Sequence, residues 1–356
     1  MLIYTILIFY YLMTIPLNKY FHSKNERIFW LFFLLFPLFI MVAFRSLNVG
    51  SDTLTYFRMY NNSSGIGLTQ PYVGYTEIGF QFINRLFNVF GFSFMLYQIC
   101  YAFFVYLSIY IFLFKYSKNF SLSIFIFIAL RVFFFSMTGV RQMIAISIIL
   151  YSLPYLINRK LLKFLIITTI AALIHNTAIV FIFIYFIPYK VFSKKTIVKL
   201  FFIMGITLLI FDNLIELFLI LYPKYSTYLA RIESYDGLFV YVQFILVIMI
   251  FFFGYFVSEK YNLRHSKENK IYFNAALFSV LLALLATQIN IAGRYLKYFY
   301  MIYLIYLPAI FINNKRSKYK LINSVFLFLL LVYYLIILVY RPNWEGVLPY
   351  EFMFSF

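Results

Sequence analysis

Residues 92–114 read FSFMLYQICYAFFVYLSIYIFLF and contain no charged side chain. A helix of this length crosses the roughly 30 Å of hydrocarbon in a bilayer, because each residue adds about 1.5 Å. Similar apolar runs recur along the chain of 356 residues, which is 65% hydrophobic and only 12% charged. A soluble globular domain would have about 25% charged residues. The sequence therefore predicts an all-α, polytopic integral membrane protein.

The apolar runs predict about ten spans and one additional segment, all within a single membrane domain that covers residues 1–356. The spans are predicted near residues 1–17, 28–44, 92–114, 120–136, 141–157, 197–222, 238–257, 271–289, 297–312 and 321–340. The additional apolar run covers residues 164–187. Residues 45–91 are the largest hydrophilic part, and we expect them to form the main extracytoplasmic loop.

The net charge of +19 is explained by basic residues in short loops between the spans. Lys and Arg are concentrated in the cytoplasmic loops of membrane proteins. Six basic clusters hold 20 of the 30 basic residues, and we assign all six to the cytoplasm. They lie at residues 19–27, 115–118, 159–163, 190–199, 260–270 and 315–320. Nucleic acid is therefore not an expected partner, and the bilayer is.

The run 164–187 conflicts with this topology, because a single apolar segment separates two basic loops on the same side. The conflict disappears if the segment is a broken or re-entrant hairpin that turns around Ile174-His175-Asn176-Thr177. Non-helical backbone at membrane depth is tolerated only beside protein or water. We therefore expect His175 to face a wet cleft, where it could act as a general base. The alternative is a hydrogen-bonded structural histidine.

The ten basic residues outside the cytoplasmic clusters are mostly arginine. They comprise eight Arg and two Lys, whereas the cytoplasmic clusters contain four Arg and sixteen Lys. Because topology requires only positive charge, this segregation suggests selection for the planar guanidinium, which binds phosphate through two hydrogen bonds. Chance in a small sample is the alternative. The candidate substrate-binding residues are Arg45, Arg131, Arg141, Gln142, Arg231, Arg294 and Tyr295.

Arg131 and Arg141 flank one short outer turn, Met137-Thr138-Gly139-Val140. Arg131 lies well inside the predicted fourth span, where an Arg costs about 2.5 to 3.5 kcal/mol on insertion scales. Snorkelling to the headgroups is a reasonable alternative for Arg141 but is harder for Arg131. The sequence therefore favours a functional role for both.

Two acidic residues of the outer loop are candidate catalytic groups. Asp52 follows Gly50-Ser51 at the predicted start of a short helix and could serve as a base toward a sugar hydroxyl. Glu77 precedes an amphipathic stretch and could act as an acid. For both residues, capping of the following helix remains an alternative. Cys100 is the single cysteine and the three histidines are scattered, so we predict no metal site and no cofactor.

Six motifs, in this order along the chain, resemble those of the EpsG family, which comprises Wzy-like polymerases of bacterial exopolysaccharide, capsule and O-antigen. The motifs are Arg45…Gly50-Ser51-Asp52-Thr53…Tyr56, Glu77-x-Gly79-Phe80, Arg141-Gln142-Met143-Ile144-Ala145, Ala171/Ala172…His175-Asn176-Thr177-Ala178, Lys224-Tyr225…Tyr228 and Arg294-Tyr295. Each motif alone is weak, but six in the same order are fairly specific. They extend over most of the chain.

The resemblance implies a metal-independent membrane glycosyltransferase of GT-C-like architecture, located in the bacterial cytoplasmic membrane with an extracytoplasmic active site. Its donor would be a glycan on undecaprenyl diphosphate, transferred as a block to a lipid-linked acceptor. A chain-length regulator and a flippase of the same pathway would be partners.

Three alternative functions remain open for this sequence: a flippase or transporter of lipid-linked glycan, a membrane acyltransferase, and a structural partner in an export complex. A transporter would place ionisable residues at mid-membrane in corresponding halves. Here such residues collect toward one face, which favours chemistry there. The acyltransferase is disfavoured because the cytoplasmic loops have no His-rich or Asn/His arrangement.

Overall fold

The computed structural model describes residues 1–72, 76–188, 190–221, 237–260, 266–289, 292–312 and 317–354. In this part of the chain the regular structure is helical, and an isolated β-bridge joins Arg45 to Phe352. The predicted all-α class is therefore confirmed. The candidate Arg231 and the motif Lys224-Tyr225…Tyr228 lie outside the described residues.

The helices of the described residues are numbered in chain order. They are α1 (Leu2–Thr14), α2 (Lys24–Ala43), α3 (Thr53–Asn61), α4 (Ile78–Val89), α5 (Phe94–Tyr116), α6 (Phe120–Ala129), α7 (Val132–Thr138), α8 (Val140–Leu150), α9 (Leu153–Ile157), α10 (Leu161–Ile174), α11 (Lys194–Leu209), α12 (Phe211–Leu221), α13 (Gly237–Lys260), α14 (Lys267–Gln288), α15 (Ala292–Ile312) and α16 (Ser317–Tyr340). Shorter 3₁₀ helices cover Ile15–Tyr20, Asn176–Phe186 and Trp344–Gly346.

Six of the described helices are long and apolar enough to cross a membrane, and the number rises to eight if two bent pairs each count as one span. The chain is therefore a multi-pass membrane protein. The bent pairs are α6 with α7, at 60°, and α11 with the start of α12, at 61°. The predicted count of about ten spans is not confirmed, because the run 141–157 is divided between α8 and α9. The GT-C-like architecture also stays a prediction.

The chain divides into two compact units. The larger unit comprises Met1–Tyr185 and Tyr303–Phe356, and the smaller comprises Phe186–Ile302. In the larger unit, α2 packs on α5 and α5 packs on α8, while α8 and α4 both contact α10. The single membrane domain predicted for residues 1–356 stays a prediction.

Local sequence accounts for the helix starts in the larger unit. Ser23 accepts a hydrogen bond from the backbone of Glu26, whose side chain accepts one from the backbone of Ser23. This capping box satisfies amide groups that have no partner within α2. The side chains of Ser93 and Asn119 each accept one backbone N–H at the starts of α5 and α6, without a reciprocal bond.

The run 164–187 is divided at His175, where α10 ends and the 3₁₀ helix Asn176–Phe186 follows. The two arms lie side by side, because the Phe164 ring near the start of α10 is 5.2 Å from the Tyr185 ring near the end of the 3₁₀ helix. With 14 and 11 residues, each arm is about 21 to 22 Å long, shorter than the hydrocarbon core. His175 therefore lies at the tip of a hairpin. The re-entrant position of this hairpin in a bilayer stays a prediction.

The C-terminal segment packs on the beginning of the outer loop. Backbone hydrogen bonds run from Met353 to Phe44, from Ser46 to Glu351 and from Gly50 to Gly346. Gly346, at φ +60°, approaches Ser51 so closely that a β-carbon would lie 2.8 Å from the Ser51 nitrogen. The chain therefore needs glycine at this contact, which orders the turn that begins α3.

Candidate functional site

Glu77 is the central residue of the candidate site, because it joins residues from two other elements. It directly precedes α4, but its side chain makes no capping hydrogen bond to that helix. Glu77 Oε2 lies 2.6 Å from Arg141 Nη1 on α8. Glu77 Oε1 lies 2.9 Å from His175 Nδ1 and accepts the backbone N–H of Asn176 at 3.2 Å. The three predicted residues Glu77, Arg141 and His175 thus form one connected cluster.

Gly79 explains how α4 comes close enough to α10 for these contacts. A β-carbon at Gly79 would lie 2.8 Å from the Leu173 carbonyl oxygen and 2.8 Å from a methyl group of Ile174. Both distances are shorter than van der Waals contact. The absence of a side chain at Gly79 therefore lets the start of α4 rest on the last turn of α10, which places Glu77 beside His175.

The Glu77 carboxylate is ionised at neutral pH. Burial by itself would raise the pKa of this carboxyl, but the hydrogen bond with His175, backbone N–H groups and the positive charge of Arg141 lower the pKa to about 2. An ionised carboxylate only accepts hydrogen bonds, so Nδ1 of His175 carries the hydrogen between them. In the neutral imidazole, Nε2 then has a lone pair.

His175 Nε2 is buried and has no hydrogen-bond partner among the described residues. The residue as a whole is 8% exposed. Other buried side-chain atoms, such as Arg45 Nε and Arg131 Nη1, also lack a partner among the described residues. His175 differs from them in its chemistry, because Glu77 fixes the ring through Nδ1 and leaves the Nε2 lone pair able to accept a proton.

Arg141 lies in the first turn of α8, and its side chain is 24% exposed. Besides Glu77, it contacts Phe80, whose ring centre lies 5.8 Å from the Arg141 guanidinium carbon. Arg141 Nε finds no partner within the described part of the chain. Arg141 is therefore held in place by its neighbours, but its side chain is partly exposed and its guanidinium is not fully hydrogen-bonded.

Asp52 is exposed and does not cap α3 through its side chain. It lies one helical turn before Tyr56, and its negative charge acts on the Tyr56 hydroxyl. The turn that contains Asp52 is fixed by the hydrogen bond between Ser51 Oγ and Thr138 Oγ1, at 2.6 Å. Asp52 is thus anchored near the residues that contact Arg141, with its carboxylate open to solvent.

Arg131 has different partners. It lies between α6 and α7 in a left-handed conformation, at φ +59°, and is 2% exposed. Its Nη2 and Nε donate to Glu345 Oε2 at 2.8 and 3.1 Å, and its guanidinium carbon is 4.4 Å from the Phe134 ring centre. Sequence reasoning proposed a substrate role for Arg131. The structure instead places it in a buried ion pair with the C-terminal segment.

Arg45 is 1% exposed, and its Nη1 donates to the Val42 carbonyl oxygen in the last turn of α2. A cation at the end of a helix satisfies carbonyl groups that lack a partner. The structure thus gives Arg45 a helix-capping role. Gln142 is also buried, whereas Arg294 is exposed and Tyr295 half-buried in the smaller unit.

Phe80 and Asn176 contact the cluster, and Tyr56 packs against Phe80, but none of the three was among the predicted site residues. All three occur in motifs that carried the family resemblance, which was the available signal. Their contacts depend on how α3, α4 and α10 pack, and a residue's own sequence neighbours do not reveal this. Among the described residues, no three His, Cys, Asp or Glu side chains are grouped as a metal site would require.

Comparison with known families gives one match. The model of the EpsG family matches residues 28–352, which is nearly the whole chain. The match includes Glu77, Arg141 and His175, and it also includes Arg131 and Glu345. Neither a curated protein nor a solved structure matches this sequence.

Proposed function

This chain belongs to the EpsG family of Wzy-like polymerases, and from that premise we propose that it joins lipid-linked oligosaccharide repeat units into a polysaccharide. The donor is a glycan on undecaprenyl diphosphate, and the acceptor is the terminal sugar of a second lipid-linked unit. The reaction takes place at the outer face of the bacterial cytoplasmic membrane, in the synthesis of exopolysaccharide, capsule or O-antigen.

The observation that best supports this proposal is the cluster of Glu77, His175 and Arg141, which combines a carboxylate-oriented imidazole with a partly exposed guanidinium. Glycosyl transfer from a diphosphate needs two such functions: a base for the acceptor hydroxyl and a cation for the leaving anion. The cluster joins the loop 45–91, the start of α8 and the hairpin tip. The loop and the start of α8 were predicted to lie on the outer side, and the hairpin tip was predicted to face a wet cleft.

His175 acts as the base in the proposed mechanism. The acceptor hydroxyl gives its proton to Nε2 of His175 while its oxygen bonds to the anomeric carbon of the donor. The bond between that carbon and the diphosphate oxygen breaks, and its electron pair leaves with the diphosphate. Glu77 keeps the ring in position and stabilises the imidazolium that forms.

Arg141 binds the diphosphate in the proposed mechanism. Its guanidinium is permanently charged and can form two parallel hydrogen bonds to phosphate oxygens. Because Glu77 already holds this side chain, the cation is preorganised where negative charge develops on the leaving group. Asp52 is the alternative base, since its carboxylate is exposed near the same residues.

Deletion of the gene in its native host, followed by sizing of the surface glycan, tests the proposed function. A polymerase predicts single repeat units in place of polymer, and wild-type protein supplied in trans should restore the polymer. Loss of all surface glycan would instead support a flippase. Supplying the Glu77→Gln variant, which keeps the shape of the side chain but removes its charge, should fail to restore the polymer at equal protein level.

A further inference from the structure

Helix α4 carries an apolar stripe on its exposed side, formed by Ile78, Phe82 and Val89. These residues lie on one face of the helix, since side chains spaced by four and by seven positions project in nearly the same direction. Phe90, the residue after the helix, extends the stripe. The exposed fractions of the four side chains lie between 42% and 65%, although all four are apolar.

Arg85 is the only charged residue of α4, and its position in the helical repeat puts it on the same stripe. Unlike the apolar members it is buried, with 4% exposed, because the preceding loop folds over it. Arg85 Nη1 donates to the Gln70 carbonyl oxygen at 2.6 Å, and Nη2 donates to the Pro71 carbonyl oxygen at 2.9 Å. The centre of the Tyr72 ring lies 4.1 Å from the guanidinium carbon.

These contacts remove the charge of Arg85 from the surface of the stripe. In water the guanidinium would be hydrated, whereas beside hydrocarbon its N–H groups need acceptors that belong to the protein. The two backbone carbonyl groups supply such acceptors, and the Tyr72 ring adds a cation–π contact. The face that α4 presents is therefore apolar, as contact with lipid requires.

A tight turn joins α4 to a membrane span. Gly91, at φ +67°, donates its N–H to the Asn88 carbonyl oxygen, and Phe92 donates its N–H to the Phe87 carbonyl oxygen. Together with the contact between the Phe87 and Phe92 rings, at 5.6 Å, these bonds form a Schellman motif. The helix α5, which is long and apolar enough to cross a membrane, begins at Phe94. The connection between the two helices has four residues and spans at most about 14 Å, so α4 ends close to the level at which α5 enters the membrane.

The exposed apolar surface of α5 extends through this turn to α4. The rings of Phe90 and Phe92 are stacked at a centroid distance of 5.8 Å, and both residues are exposed. Along α5 the exposed apolar side chains include Leu96, Phe103 and Leu107, whose spacing of seven and four positions places them on one face. On a membrane span such a face contacts lipid. The stripe of α4 therefore adjoins a surface whose partner is the bilayer.

We propose that α4 is an interfacial helix, whose stripe of Ile78, Phe82, Val89 and Phe90 is embedded in the leaflet at which α5 begins. Because Glu77 directly precedes α4, this contact holds the Glu77 cluster at the level of the lipid head groups. The inference does not depend on the proposed function, because it concerns only the contact between α4 and lipid.

Quenching by brominated lipid tests this contact in the full-length protein reconstituted into phosphatidylcholine vesicles. Cys100 is the single cysteine, so a Cys100→Ala background allows one label per chain. Phe82→Cys or Val89→Cys is labelled with the environment-sensitive fluorophore nitrobenzoxadiazole. Emission is compared between vesicles with and without bromine near the head-group end of the acyl chains. Both labels should lose most of their emission in brominated vesicles, and their emission in plain vesicles should be shifted to the blue.

Two further labelled positions provide the controls. Asn61→Cys is the matched aqueous control, because Asn61 is exposed at the end of α3, in the same loop and one turn after Arg58. Phe103→Cys, on the exposed face of α5, gives the loss of emission for a label in lipid. The labels at Phe82 and Val89 should behave like the label at Phe103. If they behave like the label at Asn61, the inference is overturned.

A second copy of the chain is the competing occupant of the stripe. It would shield the label at Phe82 from brominated lipid, and unlabelled Phe82→Cys would then form a disulfide-linked dimer on mild oxidation in the vesicles. Lipid contact predicts strong quenching and a monomer. A dimer together with an unquenched label contradicts the inference.

A charge placed on the stripe provides an independent test. Phe82→Glu should lift α4 from the hydrocarbon, because a carboxylate is costly there. The label at Val89 should then lose less emission in brominated vesicles than it does in the matched variant Phe82→Leu, which keeps the stripe apolar. Equal losses in the two variants contradict the inference. None of these measurements uses polymer formation, so a failure of the proposed function would leave their outcome unchanged.

Discussion

Arg131 precedes α7 and Arg141 follows it, but the two arginines have different partners in the structure. Arg131 is 2% exposed and its fork is bonded to a buried carboxylate between the rings of Phe134 and Trp344. Arg141 is 24% exposed, shares its carboxylate with His175 and has an unpaired Nε among its described contacts. The role of an arginine near a membrane helix therefore depends on the partner that reaches it and on its access to ligands.

The two carboxylates also differ in what they connect. Glu345 binds Arg131, and its backbone oxygen accepts the N–H of Ser51, so this ion pair attaches the C-terminal segment to the turn before α3. Glu77 connects a cation to a histidine whose second ring nitrogen is unpaired among the described residues. The first pair is buried against the C-terminal segment, with Arg131 Nη1 also unpaired among the described residues. The second pair includes a histidine and is an arrangement that can take part in proton transfer.

Replacing Arg131 should have the largest effect on the amount of folded protein. Arg131→Leu leaves the buried Glu345 charge without its partner, which destabilises a protein by about 3 to 5 kcal/mol. We expect a strongly reduced monodisperse peak in fluorescence-detected size-exclusion chromatography. The double variant Arg131→Met/Glu345→Gln removes both charges and should recover part of the loss. Normal protein level with loss of polymer in Arg131→Leu would instead return Arg131 to the substrate-binding residues.

Replacing His175 should have the largest effect on polymer at unchanged protein level. His175→Gln can keep a hydrogen bond to Glu77 but cannot accept the proton, and loss of a general base costs about 100- to 10,000-fold in rate. Chain extension, measured by sizing the surface glycan, should fall below detection. The matched control is His22→Gln, because His22 is exposed and adjoins the start of α2. Retained long polymer in His175→Gln would remove His175 from the mechanism.

Parallel Arg→Lys substitutions compare the two arginines most directly. Lysine keeps the charge but loses the planar fork. Arg141→Lys should leave the protein level unchanged and lower polymer formation by about 10-fold or more, a loss equal to about 1.4 kcal/mol of transition-state stabilisation. Arg131→Lys should do the reverse, with lower thermal stability and polymer in proportion to the remaining protein. The same outcome for both variants would remove the distinction drawn between the two sites.

The smallest effect concerns the pH dependence of the Glu77 cluster. The folded-state pKa of Glu77, about 2, is below the ordinary value of 4.5, so its stabilising contribution is complete above about pH 5. It is lost as the pH falls through 4.5 toward 2. The difference between the thermal midpoints of wild type and Glu77→Gln should therefore shrink as the pH falls from 5 toward 2. A difference that stays the same over this range would contradict this assignment of charges.

The sequence predicted the helical membrane class and much of the candidate cluster, but it did not predict the roles of its arginines. Apolar run length is a local property, so it predicted a multi-pass helical membrane protein and a break in the run 164–187 at His175, although the count of about ten spans is not confirmed. Glu77, Arg141 and His175 were each named as candidates from residue type and context. Sequence reasoning assigned Arg45, Arg131 and Arg141 the same anion-binding role, because all three have similar local surroundings.

Only the tertiary structure determined which of these residues meet. Glu77 is 64 residues from Arg141 and 98 from His175 in the chain, and their contact depends on the approach of α4 to α10 at Gly79. Likewise, Glu345 reaches Arg131 across 214 residues. The residue types along a segment determine whether its surface is apolar and becomes buried. Two charges form a pair only where packing brings their segments within about 3 Å of each other. For this reason the apolar membrane helices could be predicted from the amino-acid order, whereas the partner of each charged residue depends on how the helices pack.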